Sequence, residues 1–155
     1  MSHYKIQEYD FINRTKLIVE QYEKLDIPKV EKFEVTLLLN CLVGLLILPQ
    51  QNWFDRLPTD IINQKEWGIK EEHISFIKKG ETKNVKDVAR HLRNSIAHYK
   101  FRAFENKSQD ISRIKFEDYD PQNNKTFEAI IPIANIKQFT TNLTNAFTQE
   151  MDNQK

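Results

Sequence analysis

The most apolar stretch of the chain, from Phe33 to Leu48, constrains the fold more than any other part of the sequence. Most of its residues are leucine, isoleucine or valine. A helix needs about 20 apolar residues to cross a bilayer, whereas this stretch is shorter and is interrupted by Glu34, Asn40 and Gly44. We therefore predict a central helix that is buried on nearly all sides, with Asn40 as a buried hydrogen-bonding residue, and no membrane association.

Two further segments have the spacing of amphipathic helices. The first extends from Tyr4 to about Leu25, and the proline that follows ends it. Its predicted core residues are Phe11, Ile18, Tyr22 and Leu25. The second begins near Pro132 and ends in a short polar tail at about residues 150–155. Its predicted core residues are Ile136, Phe139, Leu143 and Phe147.

The hydrophobic period changes from helical to alternating after Tyr99, which predicts β-structure. Three segments alternate, with a turn at residues 120–124: Lys100 to Glu105, Ile111 to Glu117 and Phe127 to Ile131. The region from Gln50 to Asn84 is irregular, and a short helix is expected there from about Glu71 to Lys79. Its tryptophans, Trp53 and Trp67, are expected to pack in the core.

Composition bounds the fold class and the cellular setting. A chain of 155 residues with 39% hydrophobic residues suits one domain, residues 1–155. With three glycines and five prolines, we predict a mainly α-helical fold, a bundle of four to five helices with a small antiparallel hairpin or ribbon before the last helix. The single cysteine, Cys41, excludes an internal disulfide framework. Since the N-terminal residues lack the apolar core of a signal peptide, we expect a cytoplasmic protein.

The charge is unevenly distributed along the chain. The formal net charge of +1 argues against a surface built for sequence-independent DNA binding. Between Lys78 and Arg102, however, eight basic residues accompany only Glu81 and Asp87. Such a cluster is either a solvated helix face or a contact surface for nucleic acid.

The basic segment contains a helix predicted to extend from about Val85 to Tyr99, with Asn84 or Asp87 as its cap. At 100° per residue its apolar side chains form one stripe towards the core: Val85, Val88, Leu92, Ile96 and Tyr99. The remaining face is polar and is predicted to point outward. It carries Arg90, Arg93, Asn94, Ala97 and His98.

Within this helix, Arg93 is followed by a polar residue, Asn94, and then by His98 after four intervening residues. In the setting of a small helical domain, the segment Arg-Asn-Ser-Ile-Ala-His resembles the Arg-x4-His pattern of the HEPN superfamily. The resemblance covers nearly the whole chain and is to domains of plasmid and phage-defence proteins. It implies a helical bundle that dimerises and, in active members, a metal-independent endoribonuclease of toxin or antiphage type.

The residue types suit that chemistry. RNA cleavage without a metal needs a base for the ribose 2′-hydroxyl, a donor for the leaving 5′-oxygen and a cation for the phosphate. His98 can exchange a proton near neutral pH. Arg93 carries a charged, planar guanidinium whose N–H donors suit phosphate oxygens. Asn94 lies four residues before His98, where it can orient the imidazole or bind the phosphate. Arg90, Lys100 and Arg102 are predicted to contact the RNA backbone.

Helical geometry adds a prediction about assembly. Arg93 and His98 are about 140° apart around the helix axis, so one copy does not easily direct both at one phosphorus atom. We predict a homodimer in which Arg93, Asn94, Ala97 and His98 form the interface and the small side chain of Ala97 allows close approach. An antitoxin or a defence-system protein is a further expected partner.

Other interpretations of the same residues stay open. His98 would also complement the helix dipole, and Arg93 would also pair with a surface carboxylate. The domain would then be a non-catalytic HEPN-like module that binds RNA, nucleotide or a partner protein, or a regulatory helical dimer with an acidic partner. His91 lies near Ser95 and His98, but without a matching carboxylate or cysteine we predict no metal and no cofactor. Some toxins of the superfamily carry a modified tyrosine two positions after the histidine; that position is Lys100 here, so such regulation is not predicted.

Overall fold

The computed structural model describes residues 7–28, 33–47, 54–64 and 66–153. Four α-helices and four β-strands make up this part of the chain. The helices are α1 (Gln7–Glu23), α2 (Glu34–Ile47), α3 (Val85–Ala97) and α4 (Ile133–Asp152). The strands are β1 (Ile74–Ile77), β2 (Phe101–Glu105), β3 (Ile111–Tyr119) and β4 (Lys125–Pro132). Two short 3-10 helices occupy Phe54–Arg56 and Glu71–His73.

The predicted fold class, a helical bundle with a small hairpin or ribbon, is wrong. The strands form one four-stranded antiparallel sheet in the order β1-β4-β3-β2, so the domain is an α and β structure with a full sheet layer. The error arose between residues 71 and 79, where a short helix was predicted. Only Glu71–His73 is helical there, and the next four residues pair with β4.

The other strands confirm the alternating pattern. β3 pairs with β4 from Arg113↔Pro132 to Tyr119↔Lys125, around a turn at residues 120–124. β2 forms the sheet edge against β3. In β3 the buried residues alternate as Ile114, Phe116 and Asp118, and this inward face packs against α3.

The apolar stretch forms α2, which contributes its buried face to the core: Leu38, Cys41, Leu42, Leu45 and Leu46. Burial is not all-round, because Thr36 and Ile47 within the helix are exposed. Asn40 is exposed, so the prediction of a buried hydrogen bond there is wrong. No helix in the described ranges is long and apolar enough to cross a membrane.

The predicted core face of α1 is confirmed at Phe11 and wrong at Ile18 and Leu25. Ile12 and Thr15 are buried, and Phe11 packs beside them, whereas Ile18 and Leu25 are about half exposed. An apolar residue occurs on several sides of this helix, so spacing alone did not identify the side that meets α2 and α4.

The last helix follows its prediction. It begins directly after Pro132, and all four predicted core residues are buried: Ile136, Phe139, Leu143 and Phe147. It continues through Asp152, with Met151 buried near its end. Trp67 packs as predicted, with its ring 6.4 Å from the ring of Phe139. Trp53 lies outside the described residues.

Candidate functional site

Helix α3 carries the predicted site residues, and its N-terminus is fixed by side-chain capping. Asn84 is the N-cap, and its side chain accepts a hydrogen bond of 2.7 Å from the backbone N–H of Asp87. Val85, Val88 and Leu92 are buried as the apolar stripe predicted. The helix is therefore held with its polar residues towards β3 on one side and towards solvent at its C-terminal end.

His91 lies at the centre of a buried polar network. Its ring is fully buried and stacks on Phe127 with 4.7 Å between the ring centroids. Nδ1 is 2.8 Å from Oδ2 of Asp118, and Nε2 is 2.8 Å from Oε2 of Glu81. A ring that carries a proton on each nitrogen can donate to both carboxylates at once. The histidine thereby joins α3, β3 and the segment before α3.

Asp118 connects this network to the predicted site. Its Oδ2 also accepts a hydrogen bond of 3.0 Å from Nδ2 of Asn94, and its Oδ1 accepts one from the backbone of Tyr119. Burial acts to raise the pKa of Asp118. The hydrogen bonds from His91 and Asn94 and the charge of His91 outweigh burial, so the pKa of this carboxyl is below its usual value. Asp118 is thus held as a carboxylate inside the protein.

Arg93 is positioned by the same chain of hydrogen bonds. Its Nε and Nη2 donate to Oδ1 of Asn94 at 3.1 Å and 2.8 Å, while the amide nitrogen of Asn94 donates to Asp118. Partial burial and the nearby charge of Arg90 lower the pKa of Arg93 below its usual value, and Asp118 acts in the opposite direction. An arginine titrates far above neutrality, so the guanidinium keeps its charge.

Asn94 therefore has a different neighbour from the one expected from sequence. Spacing placed it where it can orient His98, but its amide oxygen and nitrogen are committed to Arg93 and Asp118. Asn94 acts on the arginine side of the site. It connects a half-buried cation to a buried carboxylate.

His98 lies at the other end of the predicted segment and is exposed. It is the C-cap of α3, and its backbone N–H donates to the carbonyl of Asn94 at 3.0 Å. Ala97 beside it is also exposed. Arg93 and Asn94 are thus held by the fold, while His98 and Ala97 face solvent, where substrate or a second protein copy can reach them.

The three predicted backbone-contact residues differ in their surroundings. Arg90 forms ion pairs with Glu81 at 3.0 Å and Asp87 at 3.5 Å. Lys100 and Arg102 are exposed, and each cation lies over an aromatic ring, Tyr119 and Phe104 respectively. Lys100 and Arg102 therefore offer positive charge in the segment that follows His98, whereas the charge of Arg90 is largely compensated within the fold.

Sequence reasoning missed Asp118 and Glu81, and it considered His91 only as a metal ligand near Ser95 and His98. Asp118 continues the inward alternation of Ile114 and Phe116, so a carboxylate occupies a position where the strand pattern predicts an apolar side chain. A buried carboxylate needs a partner, and that rule is the signal that could have identified the network. In the described ranges, no cluster of histidine, cysteine, aspartate and glutamate has an arrangement that could hold a metal ion.

Comparison with known families adds a finding to this geometry. The sequence model of the family described as HEPN pEK499 p136 matches residues 1–154. The chain belongs to this family. No curated protein and no solved structure matches the chain.

Membership in a HEPN family assigns the chain to a group that includes nucleases and RNA-binding modules. The match spans α3 and the segment from Arg93 to His98, but it assigns no role to any one of those residues. The roles must therefore be argued from the contacts of the site residues.

Proposed function

We propose that this HEPN protein is a metal-independent endoribonuclease that cleaves RNA at a composite site in a homodimer. His98 is the general base that removes the proton of the ribose 2′-hydroxyl. Arg93 stabilises the charge that develops on the phosphate, and Asn94 positions Arg93. Attack of the 2′-oxygen on phosphorus breaks the bond to the 5′-oxygen, which takes a proton from water, and leaves a 2′,3′-cyclic phosphate.

The observation that carries this proposal is the way Arg93 is held. Its guanidinium donates a hydrogen bond to Asn94, and Asn94 donates one to Asp118. Asp118 is in turn hydrogen-bonded to His91. Such an arrangement fixes the position of a cation within the site. A cation held in a fixed position can stabilise the charge that develops on a phosphate without reorganisation during the reaction.

The angular separation of about 140° between Arg93 and His98 supports the dimer. When two copies meet through the exposed Ala97 and His98, the histidine of one copy approaches the arginine of the other. Lys100 and Arg102 then flank the cleft and contact the RNA backbone, with a smaller contribution from the ion-paired Arg90. An activity of this kind suits a toxin or an antiphage effector with an antitoxin or defence-system partner.

A second candidate is a non-catalytic HEPN module that binds RNA. The geometry of Asn94 favours it, since the amide expected to orient His98 is occupied by Arg93 and Asp118. A histidine without an orienting hydrogen bond is a weaker general base. Binding without cleavage distinguishes this candidate from the first.

Cleavage of total RNA or transfer RNA by the purified protein in EDTA tests the proposal. We expect defined fragments with cyclic phosphate ends, and a loss of at least about 100-fold in rate for His98→Ala and for Arg93→Ala. His73→Ala is the matched control, because His73 precedes the opposite edge strand of the sheet. Cleavage that persists in both site variants, or that requires a divalent metal, would contradict the assignment.

Sedimentation of the same proteins tests the assembly. We expect the wild type and both alanine variants to sediment as dimers, and Ala97→Glu to sediment as a monomer with cleavage reduced to the level of His98→Ala. A monomeric wild type that cleaves RNA would exclude a composite site while leaving the chemistry of His98 in place.

A further inference from the structure

Tyr99 combines two unfavourable features at the end of α3. Its φ of 55° places it in the left-handed region, which bulky residues rarely adopt. Its side chain is 81% exposed, although sequence periodicity predicted that it faces the core. That prediction is wrong because the helix ends at Ala97 and the chain turns before Tyr99.

The fold requires the backbone conformation of Tyr99 but not its ring. The N–H of Tyr99 donates to the carbonyl of Ile96 at 3.0 Å, and the N–H of Lys100 donates to the carbonyl of Ser95 at 2.6 Å. These two bonds form the helix-ending motif that usually has glycine at this position. Lys100 is in turn tied to β3, because its carbonyl accepts from the N–H of Glu117 at 2.9 Å. Glycine would satisfy all of these bonds.

The ring adds little to the core. Its aromatic contact in the described part of the chain is an edge contact with Phe101, whose centroid is 5.0 Å away. Most of the ring surface remains open to solvent. A side chain that strains the backbone and exposes apolar surface points to a use outside the folding of this domain.

The surroundings of the ring favour a nucleic-acid ligand. Tyr99 directly follows His98 and directly precedes the exposed Lys100, and Arg102 is exposed on the edge strand β2 that begins at Phe101. An open aromatic ring with exposed cations one and three positions further along the chain offers the combination with which proteins bind unpaired nucleotides, charge for the backbone and a π-face for the base.

We propose that Tyr99 is a base-stacking residue that binds an unpaired base next to the phosphate at the candidate site, so that the substrate is single-stranded RNA. The proposal rests on the nuclease function proposed above. Bases in an A-form duplex are stacked on each other and do not present a face to the ring, whereas bases in loops and ends do. The stacked base fixes the adjacent phosphate relative to His98.

Binding measurements separate this role from cleavage. The probe is a fluorescein-labelled 12-nucleotide RNA of mixed sequence with 2′-O-methyl groups, which removes the attacking hydroxyl, and affinity is measured by anisotropy for the single strand and for its duplex. The full chain is compared with Tyr99→Gly, Tyr99→Asn and Tyr99→Phe. Glycine and asparagine both tolerate the left-handed conformation, so these variants remove the ring and keep the turn.

Gln109→Gly is the matched control. Gln109 also has a positive φ, 64°, and is exposed in the turn between β2 and β3. We expect Tyr99→Gly and Tyr99→Asn to weaken binding of the single strand about tenfold, Tyr99→Phe to bind within twofold of the wild type, and Gln109→Gly to bind unchanged. The wild type should prefer the single strand to the duplex, and the Tm of Tyr99→Gly should be no lower than that of the wild type.

Several results would overturn the stacking role. Equal affinity of Tyr99→Gly and the wild type excludes it, as does equal affinity of the wild type for strand and duplex or no binding of the strand. Conversion of the dimer to a monomer in Tyr99→Gly, with RNA affinity unchanged, would assign the ring to contact with a second copy instead. Binding of the probe without cleavage of the all-ribose strand would refute the nuclease proposal and leave stacking intact.

Discussion

Two histidines, His91 within α3 and His98 at its C-cap, have opposite environments although helical spacing places them on the same side of the helix. They are seven positions apart, so their directions differ by only about 20°. His91 is fully buried between two carboxylates and a phenylalanine ring, whereas His98 caps the helix and is exposed. The elements that pack over each helical turn therefore decide whether its histidine is buried or exposed. The direction of the side chain around the helix axis does not decide it.

The interior of α3 and its C-terminal end therefore have different roles. The interior part is a saturated hydrogen-bond network, in which His91 and Asp118 have polar partners and fix the orientation of α3 against β3. The C-terminal end carries groups that the fold leaves open, His98 and Tyr99. Asn94 and Arg93 lie between the two parts and connect them.

The largest effect is expected from removal of the buried histidine. His91→Ala leaves two facing carboxylates without a donor and a cavity against Phe127, so we expect a loss of about 3–5 kcal/mol in the free energy of unfolding. His98→Ala should change stability by less than about 0.5 kcal/mol. Urea unfolding of both variants measures the contrast, and equal losses would show that the two histidines are not distinct in role.

A smaller effect is expected from neutralising the carboxylate in the network. Asp118→Asn should lower stability by about 2 kcal/mol at pH 7, because it removes a charge-assisted hydrogen bond to His91. The exposed Glu105→Ala is the control and should have little effect. Urea unfolding of the wild type and both variants, at pH 7 and at a series of lower pH values, provides the measurement.

The pH dependence of that difference follows from the lowered pKa of Asp118. A carboxyl whose folded pKa is below its unfolded value, about 3.9, stabilises the protein above that value, and the contribution is lost as the pH falls through the folded pKa. The gap between wild type and Asp118→Asn should therefore narrow below about pH 4. Glu128, whose pKa is lowered to about 2 by Lys125 and Lys115, adds acid sensitivity to both proteins alike. A gap that widens on acidification would contradict the ionised state of Asp118.

Asn94 tests whether the two parts of the helix are coupled. Asn94→Ala removes the acceptor for Arg93 and one donor to Asp118, so stability should fall by about 1.5 kcal/mol and cleavage by about tenfold. Asn40→Ala, an exposed asparagine on α2, should leave both quantities unchanged. A loss of stability without any change in cleavage would mean that Arg93 does not depend on Asn94 for its position.

The smallest effect has the opposite sign. Tyr99→Gly relieves left-handed strain of about 1–2 kcal/mol, and the greater freedom of glycine in the unfolded chain offsets part of it. We expect a net stabilisation of about 0.5–1 kcal/mol by urea unfolding, with a comparable gain for Gln109→Gly. Destabilisation by Tyr99→Gly alone would show that the ring packs in a way that supports the fold.

Elements with a single strong pattern were predictable. The four core residues of α4, the pairing segments of β3 and β4 and the cap at Asn84 follow from local spacing and capping chemistry. The first helix was misread because apolar residues occur on several of its sides, and only packing against α2 and α4 selects Ile12. β1 was missed because a strand of four residues after a short 3-10 helix has too little periodicity to be distinguished.

The sequence by itself determined the residue types of the candidate site and their order on one helix: Arg93, Asn94 and His98. Local spacing defines such an order because α3 is capped and periodic from Asn84 onward. Only the tertiary structure decided the partners, since Asp118 is 27 positions from His91 along the chain and reaches it through the packing of β3 on α3. It also decided that Tyr99 is exposed, because where a helix stops depends on the strand that must follow it. Burial and long-range pairing are properties of the packed chain, and a helical period does not encode them.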